Sequence, residues 1–300
     1  MNTKKIHAKK ISGANPLIGF IGQGFVGKAY ADDFERRGHN IVRYSLEAPY
    51  RANKEKIKDC DIVFIAVPTP TTENKFDDSI VREAVSLVGK GKIAVIKSTV
   101  VPGTTVSIQK QYPNVFVVHS PEFLREARAA YDAGHPDRNI IGVPIRSAAY
   151  EKKAKEVLAV LPFAPFRLIC DVNAAELVKY AGNVFLYLKV LLANLFYDVA
   201  SELGIDWDVV RKAVAADPRI GASHLVALDQ KGRGAGGHCF IKDFAAFAEV
   251  YKETVGDRFG AALLNSLRDK NGQLLVSTKK DLDLLAGVYG ADFLKRFRQK

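Results

Sequence analysis

The stretch LIGFIGQGFVG, residues 17–27, decides the fold of this 300-residue chain. Residues 17–21 form an apolar run typical of a buried strand, and residues 25–37 follow with the apolar spacing of a helix. The three glycines between them permit a tight turn, a close backbone approach to a pyrophosphate, and close packing of helix on strand. The stretch therefore predicts a dinucleotide-binding turn formed by Gly22, Gln23, Gly24, Phe25, Val26 and Gly27.

Short apolar strands alternate with helical patterns through the first half of the chain. The predicted strands are 40–44, 61–67, 92–96, 115–118 and 140–143, and the predicted helices are 79–88 and 104–111. Strands that alternate with helices indicate βαβ units, and continuous apolar runs indicate strands covered on both faces. The predicted fold is α/β, a Rossmann-like doubly wound parallel sheet.

The pattern changes after the last of these strands. Residues 174–203 are rich in Leu, Ala and Val with few helix breakers, which predicts one long helix. Shorter helices are predicted at 207–216 and 243–251. The sequence therefore predicts a dinucleotide-binding domain over residues 1–170, followed by an all-helical domain with one long helix over residues 171–300.

Composition and charge narrow the classes of function. The chain is 48% hydrophobic and 26% charged, as in ordinary globular proteins. The longest apolar runs are interrupted, as at Lys189, so we predict no membrane-spanning segment. A net charge of +11 suits either a nucleic acid or a small anion such as a dinucleotide or sugar diphosphate. Because the basic residues are dispersed and no nucleic-acid motif is present, we favour the small anions.

The three cysteines indicate a reducing compartment. Cys60, Cys170 and Cys239 are too few and too scattered for a disulfide framework, and no pair has the spacing of metal ligands. The basic N-terminus lacks the apolar core of a secretory signal. We therefore predict a cytoplasmic protein without a metal site.

The second strand bears on the choice of cofactor. In a dinucleotide-binding unit this strand ends in an acid that holds the adenosine ribose. That position falls at Ser45, and Glu47, twenty residues beyond Gly27, is a candidate substitute. Arg43 lies close by, and an arginine here can favour the 2′-phosphate of NADP. We predict NAD, with NADP as the alternative.

The segment KGRGAGGHCFIKD, residues 231–243, carries the strongest chemical signal. Its glycines let the backbone lie close to a ligand, and Cys239 follows them where a helix begins. A helix N-terminus and nearby cations lower the pKa of a thiol and make it a nucleophile. The candidate cations are Arg233, His238 and Lys242. The alternative is a small buried hydrophobic residue, which is our interpretation of Cys60 and Cys170.

Lys179 and Asn183 are four residues apart on the predicted long helix. They therefore share one face of it. A lysine and an amide on one face can jointly stabilise an oxyanion, whereas a lysine taken alone is more often a solvated surface residue.

Together these stretches resemble the UDP-glucose/GDP-mannose dehydrogenase family of nucleotide-sugar dehydrogenases. The matching pieces, in family order over roughly the first 250 residues, are GFIGQGFVG at 19–27, DIVFIAVPTP at 61–70, KSTVVPGTT at 97–105, SPEFLRE at 120–126, ELVKYAGN at 176–183, DPRIGASH at 217–224 and GRGAGGHCFIKD at 232–243.

The resemblance implies that the chain oxidises the C6 alcohol of a nucleotide sugar such as UDP-glucose to the carboxylate. Cys239 would attack the C6 aldehyde, and the thiohemiacetal would yield a second hydride and become a thioester. Two NAD molecules are then reduced per sugar, and water releases the acid. Lys179 and Asn183 would stabilise the negative oxygen.

The resemblance also implies roles for further residues. Asp243 would support base chemistry with an ordered water, and Thr99 would position that water or the sugar hydroxyl. Glu126 would assist thioester hydrolysis, and Glu122 would support the site. The implied cofactor-binding residues beyond the glycine turn are Ser45, Glu47, Val67, Pro68, Thr69, Ser98 and Thr99. The implied substrate-binding residues are Phe123, Leu124, Arg125, Arg219, Gly234, Gly236 and Gly237. The implied partner is a second copy of the chain, bound through the helix over residues 171–203.

The chain departs from the family pattern at its end. The family has a third domain that holds the nucleotide base, whereas residues 252–300 predict only a short helical end with a helix at 277–289. Ile241 stands where a proline is common. One alternative is therefore a weak or non-catalytic NAD-binding relative that needs a partner for the third domain. A hydroxyacid dehydrogenase is another, although such enzymes use a helix lysine and no cysteine.

Overall fold

The computed structural model describes residues 15–72 and 75–297. The strands are β1 (Ile18–Ile21), β2 (Ile41–Tyr44), β3 (Ile62–Ile65), β4 (Thr71–Thr72), β5 (Lys75–Phe76), β6 (Ile93–Ile96), β7 (Phe116–His119), β8 (Arg138–Val143), β9 (Phe166–Asp171), β10 (Leu228–Asp229) and β11 (Gly232–Arg233). The helices are α1 (Phe25–Arg36), α2 (Ser79–Ser86), α3 (Thr104–Gln111), α4 (Ala129–Gly134), α5 (Ala148–Val160), α6 (Val172–Glu202), α7 (Trp207–Ala215), α8 (Gly237–Thr254), α9 (Arg258–Ser277), α10 (Leu282–Tyr289) and α11 (Ala291–Lys295). Two 3₁₀ helices span Tyr50–Asp59 and Glu126–Arg128.

Seven strands form one sheet in the order β2-β1-β3-β6-β7-β8-β9. The first five of these run parallel, whereas β8 pairs antiparallel with β7 and parallel with β9. The Rossmann-like prediction is confirmed, with these last two strands reversed. Strand β9 is not predictable from the sequence because its residues are exposed or half-buried and lack a continuous apolar run. Helix α5 was also not predicted.

Two layers of side chains cover the sheet. Neighbouring residues of β3 point to opposite faces: Phe64 packs with α1 and α5, whereas Val63 and Ile65 pack with α2 and α3. Because the strands are buried on both sides, their carboxyl ends are the part of the sheet where loops can form a site.

The long helix α6 leads directly from the sheet. The carboxylate of Asp171 accepts a hydrogen bond from the Asn173 N–H at 2.9 Å and caps its start, and Gly204 follows its end with a φ of +66°. The prediction of one long helix is confirmed. The prediction that no segment is long and apolar enough to cross a bilayer is wrong for α6, which satisfies both criteria, although 39% of its most apolar window is buried. The single charge of Lys189 does not interrupt the helix because its amine reaches out to the Ile220 carbonyl at 2.9 Å.

The last helices α8 to α11 pack beside α6 around Phe244, Leu274 and Leu275. The predicted helix at 277–289 begins five residues too early, because Lys279 and Asp281 have φ values of +56° and +50° that break it from α9. Helix α9 was not predicted; Asp257 caps it by accepting bonds from two N–H groups.

Candidate functional site

The β1–α1 turn has the backbone geometry that its glycines predict. Gly22 has a φ of +90°, and a Cβ atom there would lie 2.2 Å from the Ala66 carbonyl oxygen. A Cβ atom on Gly27 would lie 2.0 Å from the Gly22 carbonyl oxygen. A Cβ atom on Gly24, the N-cap of α1, would meet nothing within 4 Å, which leaves room for a ligand at the helix N-terminus. The turn therefore fits the pyrophosphate of a dinucleotide.

Hydrogen bonds join the loops that leave β3 and β6. The Ser98 hydroxyl accepts from the Val67 N–H at 2.9 Å and donates to the Val67 carbonyl at 2.7 Å. The Thr69 hydroxyl donates to the Thr99 carbonyl at 2.8 Å, and Pro68 beside it is exposed. The structure therefore brings these predicted cofactor-binding residues together at the carboxyl edge of the sheet.

Beyond β2, the Ser45 hydroxyl donates to the Glu47 carbonyl at 3.1 Å, and Glu47 is exposed. Arg43 is buried and already paired: its guanidinium lies 2.6 Å from an Asp32 oxygen and 2.8 Å from a Glu35 oxygen. A cavity of about 420 Å³ opens beside these charges. A 2′-phosphate placed next to Arg43 would therefore meet two carboxylates.

Lys179 on α6 forms a buried ion pair with Glu122, which follows β7. The Lys179 Nζ atom lies 2.6 Å from Glu122 Oε1, and both side chains are less than a tenth exposed. Burial alone would lower the pKa of Lys179, but the carboxylates of Glu122 and Asp243 outweigh it and raise the pKa above its ordinary value. Lys179 is therefore a fixed positive charge and not a solvated surface lysine.

Asn183, one turn further along α6, contacts α8. Its amide donates to Asp243 Oδ2 at 2.5 Å, and Lys242 Nζ lies 2.7 Å from the other oxygen of Asp243. Asp243 is almost fully buried. Lys179 and Asn183 thus contact Glu122 and Asp243, the two carboxylates that were predicted for the same site.

Cys239 is the third residue of α8, as the sequence predicts, but the direction of its pKa shift was predicted wrongly. Although the residue as a whole is exposed, protein atoms crowd the thiol, and this burial raises the pKa of Cys239, as does the charge of Asp243. Lys179 and Lys242 act in the opposite direction and do not outweigh them. Of the three predicted cations, only Lys242 contributes: Arg233 is turned away onto Asp198 and Asn194, and His238 is exposed.

The pKa values of the other two cysteines are raised as well. Burial raises the pKa of Cys60 to about 11, and burial also raises that of Cys170. Cys60 is fully enclosed within the sheet core, as its interpretation as a small hydrophobic residue requires.

Some predicted residues lie apart from this cluster in the described structure. Glu126 is exposed on its 3₁₀ turn. Arg125 is bound to Asp132 at 2.6 Å, and Arg219 is exposed and bound to Asp217 at 2.7 Å. Phe123 and Leu124 lie nearer: the Arg138 guanidinium stacks 3.8 Å from the Phe123 ring, and the Leu124 N–H donates to Glu122 at 2.8 Å.

The glycine loop before Cys239 is held by the connection between α9 and α10, a contact that no sequence pattern predicted. The Gly237 N–H donates to the Asp281 carboxylate at 2.7 Å, and the Lys280 amine donates to the Gly234 carbonyl at 3.1 Å. A Cβ atom on Gly236 would lie 2.1 Å from Asp281 Oδ2. These partners lie more than forty residues away in sequence, so no local pattern identifies them.

A buried polar group behind the site was also missed. Lys97 directly follows β6 and His119 ends β7, and both are almost fully buried. Burial lowers the pKa of Lys97 to about 7 and that of His119 to about 3. The Lys97 amine donates to the Ser120 hydroxyl at 3.1 Å. A lysine at the end of an apolar strand was the available signal, in the KST of residues 97–99.

The structure combines a dinucleotide-binding turn, a buried lysine on a long helix and a cysteine that follows a glycine-rich loop. One class of dehydrogenase has this combination. Residues 44–161 match the NAD binding domain of the UDP-glucose/GDP-mannose dehydrogenase family, and residues 173–273 match its central domain. The chain belongs to this family.

Individual relatives agree with the family models. UDP-glucose 6-dehydrogenase YwqF of Bacillus subtilis is 32% identical over 276 residues, which cover 86% of this chain and 59% of that protein. UDP-glucose 6-dehydrogenase AglM of Haloferax volcanii is 30% identical over 279 residues, which cover 76% of this chain and 64% of that protein. The chain thus spans less than two thirds of the length of either relative.

Solved structures give the same result. A UDP-glucose dehydrogenase from Pyrobaculum islandicum superposes with a TM-score of 0.75 at 29% identity, covering 89% of this chain and 71% of that one. A 3-hydroxyisobutyrate dehydrogenase from Mycobacterium tuberculosis superposes with a TM-score of 0.68 at 15% identity, covering 91% and 98%. The second likeness concerns the fold alone.

Proposed function

We propose that the chain carries the catalytic centre of an NAD-dependent 6-dehydrogenase that oxidises a nucleotide sugar of the UDP-glucose type to the carboxylate. One observation carries the proposal: Lys179 and Asn183, on one face of α6, contact Glu122 and Asp243 at 2.6 and 2.5 Å, and both Asp243 and Lys179 act on the thiol of Cys239. A binding protein has no need of a buried lysine, a carboxylate and a thiol in one cluster.

The chemistry divides a four-electron oxidation between two hydride transfers. NAD supplies the hydride acceptor when it is bound at the glycine turn. The C6 alcohol loses a hydride and a proton, and the Cys239 sulfur adds to the resulting aldehyde. The positive charge of Lys179 and the amide of Asn183 stabilise the negative oxygen of the thiohemiacetal. The thiohemiacetal would yield its second hydride to a second NAD bound at the glycine turn, and water would split the thioester into the carboxylate and the free thiol.

The raised pKa of Cys239 adds a requirement to this scheme. The thiol is protonated at neutral pH, so a base must accept its proton as the sulfur adds to the aldehyde. Asp243 is the carboxylate whose charge acts most strongly on the thiol. We assign it this role, directly or through an ordered water.

We propose NAD and not NADP. Asp32 and Glu35 both pair with Arg43, so the guanidinium that would recognise a 2′-phosphate is already neutralised. We also place the chain in the cytoplasm, since Cys60, Cys170 and Cys239 are all unpaired thiols.

Reduction of NAD by purified protein tests the function directly. The protein is mixed with NAD and a panel of UDP- and GDP-sugars, with Cys239→Ala as the test variant and Cys170→Ala as the matched control. We expect NADH to form with one sugar at about two per sugar oxidised, to be lost in Cys239→Ala, and to be retained in Cys170→Ala. If no sugar supports reduction, the chain is instead an NAD-binding relative that needs a partner, and tight NAD binding without turnover identifies that case.

We further propose that two copies of the chain associate through α6. An apolar stripe along this helix is exposed, with Phe185 at 72% and Leu203 at 67%. Its members are Phe185, Leu192, Phe196, Val199 and Leu203. Their spacing of three, four and seven residues is that of a helix–helix seam, and so large an apolar stripe marks an interaction surface.

Sedimentation velocity tests the association. We expect the wild type to be a dimer at micromolar concentration and Phe196→Glu to be a monomer, because the substitution buries a charge in the seam. Phe163→Glu, at a phenylalanine outside α6 that is more exposed than Phe196, is the control and leaves the dimer intact. A monomeric wild type would contradict the proposal, and its binding to neutral lipid vesicles would assign the stripe to a membrane.

A further inference from the structure

A buried carboxylate on α6 has no part in the chemistry proposed above. Glu176 is fully buried and lies one helical turn before Lys179, on the same face. Its Oε2 atom accepts a hydrogen bond from the Gly103 N–H at 2.7 Å, and its Oε1 atom accepts one from the Thr105 N–H at 2.8 Å. These N–H groups form the start of α3, where a negative charge is favourable.

This contact concerns the site because of what precedes α3. Residues 97–103 connect β6 to α3 and contain Ser98 and Thr99. At one end of this connection, hydrogen bonds tie Ser98 and Thr99 to the loop that leaves β3. At the other end, Glu176 holds the connection to α6. The connection is therefore fixed between the cofactor loops and the helix that carries Lys179.

Three positions on one face of α6 each reach a different segment. Glu176 binds the start of α3, Lys179 binds Glu122 after β7, and Asn183 binds Asp243 on α8. We propose that Glu176 is a positioning residue, whose carboxylate keeps the connection that carries Ser98 and Thr99 in register with Lys179 and Asn183. The proposal rests on the proposed function, because the register has catalytic meaning only if these residues act on one substrate.

Both bonds to Glu176 require its ionised form. A protonated carboxyl carries a hydrogen on one oxygen, and that oxygen then accepts from the facing N–H group only weakly. Burial raises the pKa of Glu176 to about 7, against the opposing effect of the bonds from Gly103 and Thr105. The charged group that faces it is Asp171, at the end of β9, which raises the pKa further. The two hydrogen bonds from Gly103 and Thr105 to Glu176, called the clamp below, therefore loosen as the pH falls below about 7.

The same shift makes the clamp costly for folding. Because the pKa of Glu176 is raised, the folded chain holds more protons than the unfolded chain between the ordinary carboxyl pKa and about 7. The contribution of Glu176 to the free energy of unfolding therefore falls as the pH rises through this window. A buried acid that opposes stability at neutral pH is expected where its charge serves the site.

Amide hydrogen exchange with Glu176→Gln tests the proposal. The amide of glutamine has one accepting oxygen, so one of the two bonds is lost, and we expect exchange at whichever of Gly103 and Thr105 loses its bond to accelerate about tenfold. We expect kcat for NAD reduction to fall about tenfold while KM for the nucleotide sugar stays within about twofold, since Ser98 and Thr99 lie at the cofactor loops. Glu202→Gln, an exposed acid at the end of α6, is the matched control and changes neither quantity.

A second measurement needs no substitution. In the wild type, exchange at Gly103 and Thr105, corrected for the intrinsic effect of pH, is expected to be faster at pH 6 than at pH 8, and Glu176→Gln should lose this difference. The proposal would be overturned if exchange in the variant equalled that of the wild type and if exchange in the wild type were the same at pH 6 and pH 8. Because exchange requires no turnover, failure of the proposed function is recognised separately, by a wild type that reduces no NAD with any sugar.

Discussion

Two glycine-rich segments, residues 22–27 and 232–237, each lead into a helix, and they are held in different ways. In the first, the atoms that exclude a side chain are backbone atoms: Gly27 abuts the carbonyl of Gly22, and Gly22 abuts that of Ala66. In the second, side chains of the C-terminal region press on the loop, with Asp281 against Gly236. The first segment has a fixed shape set by the backbone, whereas the second depends on distant side chains that can move.

The largest effect is expected at Gly27. Alanine favours a helix, so Gly27→Ala would be mildly stabilising if only propensity mattered. Its Cβ atom would instead lie 2.0 Å from a backbone oxygen that cannot move alone, and we expect a loss of about 3 kcal/mol in the free energy of unfolding. Urea denaturation measures this loss, and no second substitution of a side chain is expected to restore it. A variant as stable as the wild type would show that the turn is not rigid.

A smaller loss of stability, which a second substitution relieves, is expected at Gly236. Its backbone φ of −98° suits alanine, but the Cβ atom would lie 2.1 Å from Asp281 Oδ2. We expect Gly236→Ala to cost about 1.5 kcal/mol, and to cost less when Asp281→Ala is also present, because the obstructing side chain is then removed. A double-mutant cycle in urea tests this. If the two substitutions changed the free energy of unfolding by strictly additive amounts, the Asp281 side chain would not be what holds the loop.

The smallest effect on folding is expected at Gly24. A Cβ atom there meets nothing within 4 Å, so Gly24→Ala should change the free energy of unfolding by less than about 0.5 kcal/mol. The methyl group would occupy space that we assign to the pyrophosphate, and about tenfold weaker NAD binding is expected, near 1.4 kcal/mol. Isothermal titration of both proteins with NAD provides the measurement. Unchanged affinity would place the pyrophosphate elsewhere.

The same contrast explains what could be predicted from the sequence. The turn at Gly22 to Gly27 was predicted because its constraints are local and only glycine satisfies them. Lys179, Asn183 and Asp243 were predicted as a set from the resemblance; in the structure Lys179 contacts Glu122, and Asn183 contacts Asp243.

The failures also have physical causes. The clamp formed by Glu176 and the bracing by Asp281 join residues more than forty positions apart, and no periodicity records such contacts. The pKa of Cys239 was predicted in the wrong direction because burial and Asp243, one turn along the same helix, outweigh the nearby cations.

The most direct test of the central claim is the mass of the protein during turnover. Wild-type protein is mixed with NAD and the sugar nucleotide that supports reduction, quenched in acid within the first turnovers, and digested. The account predicts that the peptide containing Cys239 gains the mass of the oxidised sugar nucleotide, and that hydroxylamine removes the addition as expected for a thioester. Two results together would contradict the account: Cys239→Ala reduces NAD at the wild-type rate, and the Cys239 peptide of the wild type gains no mass.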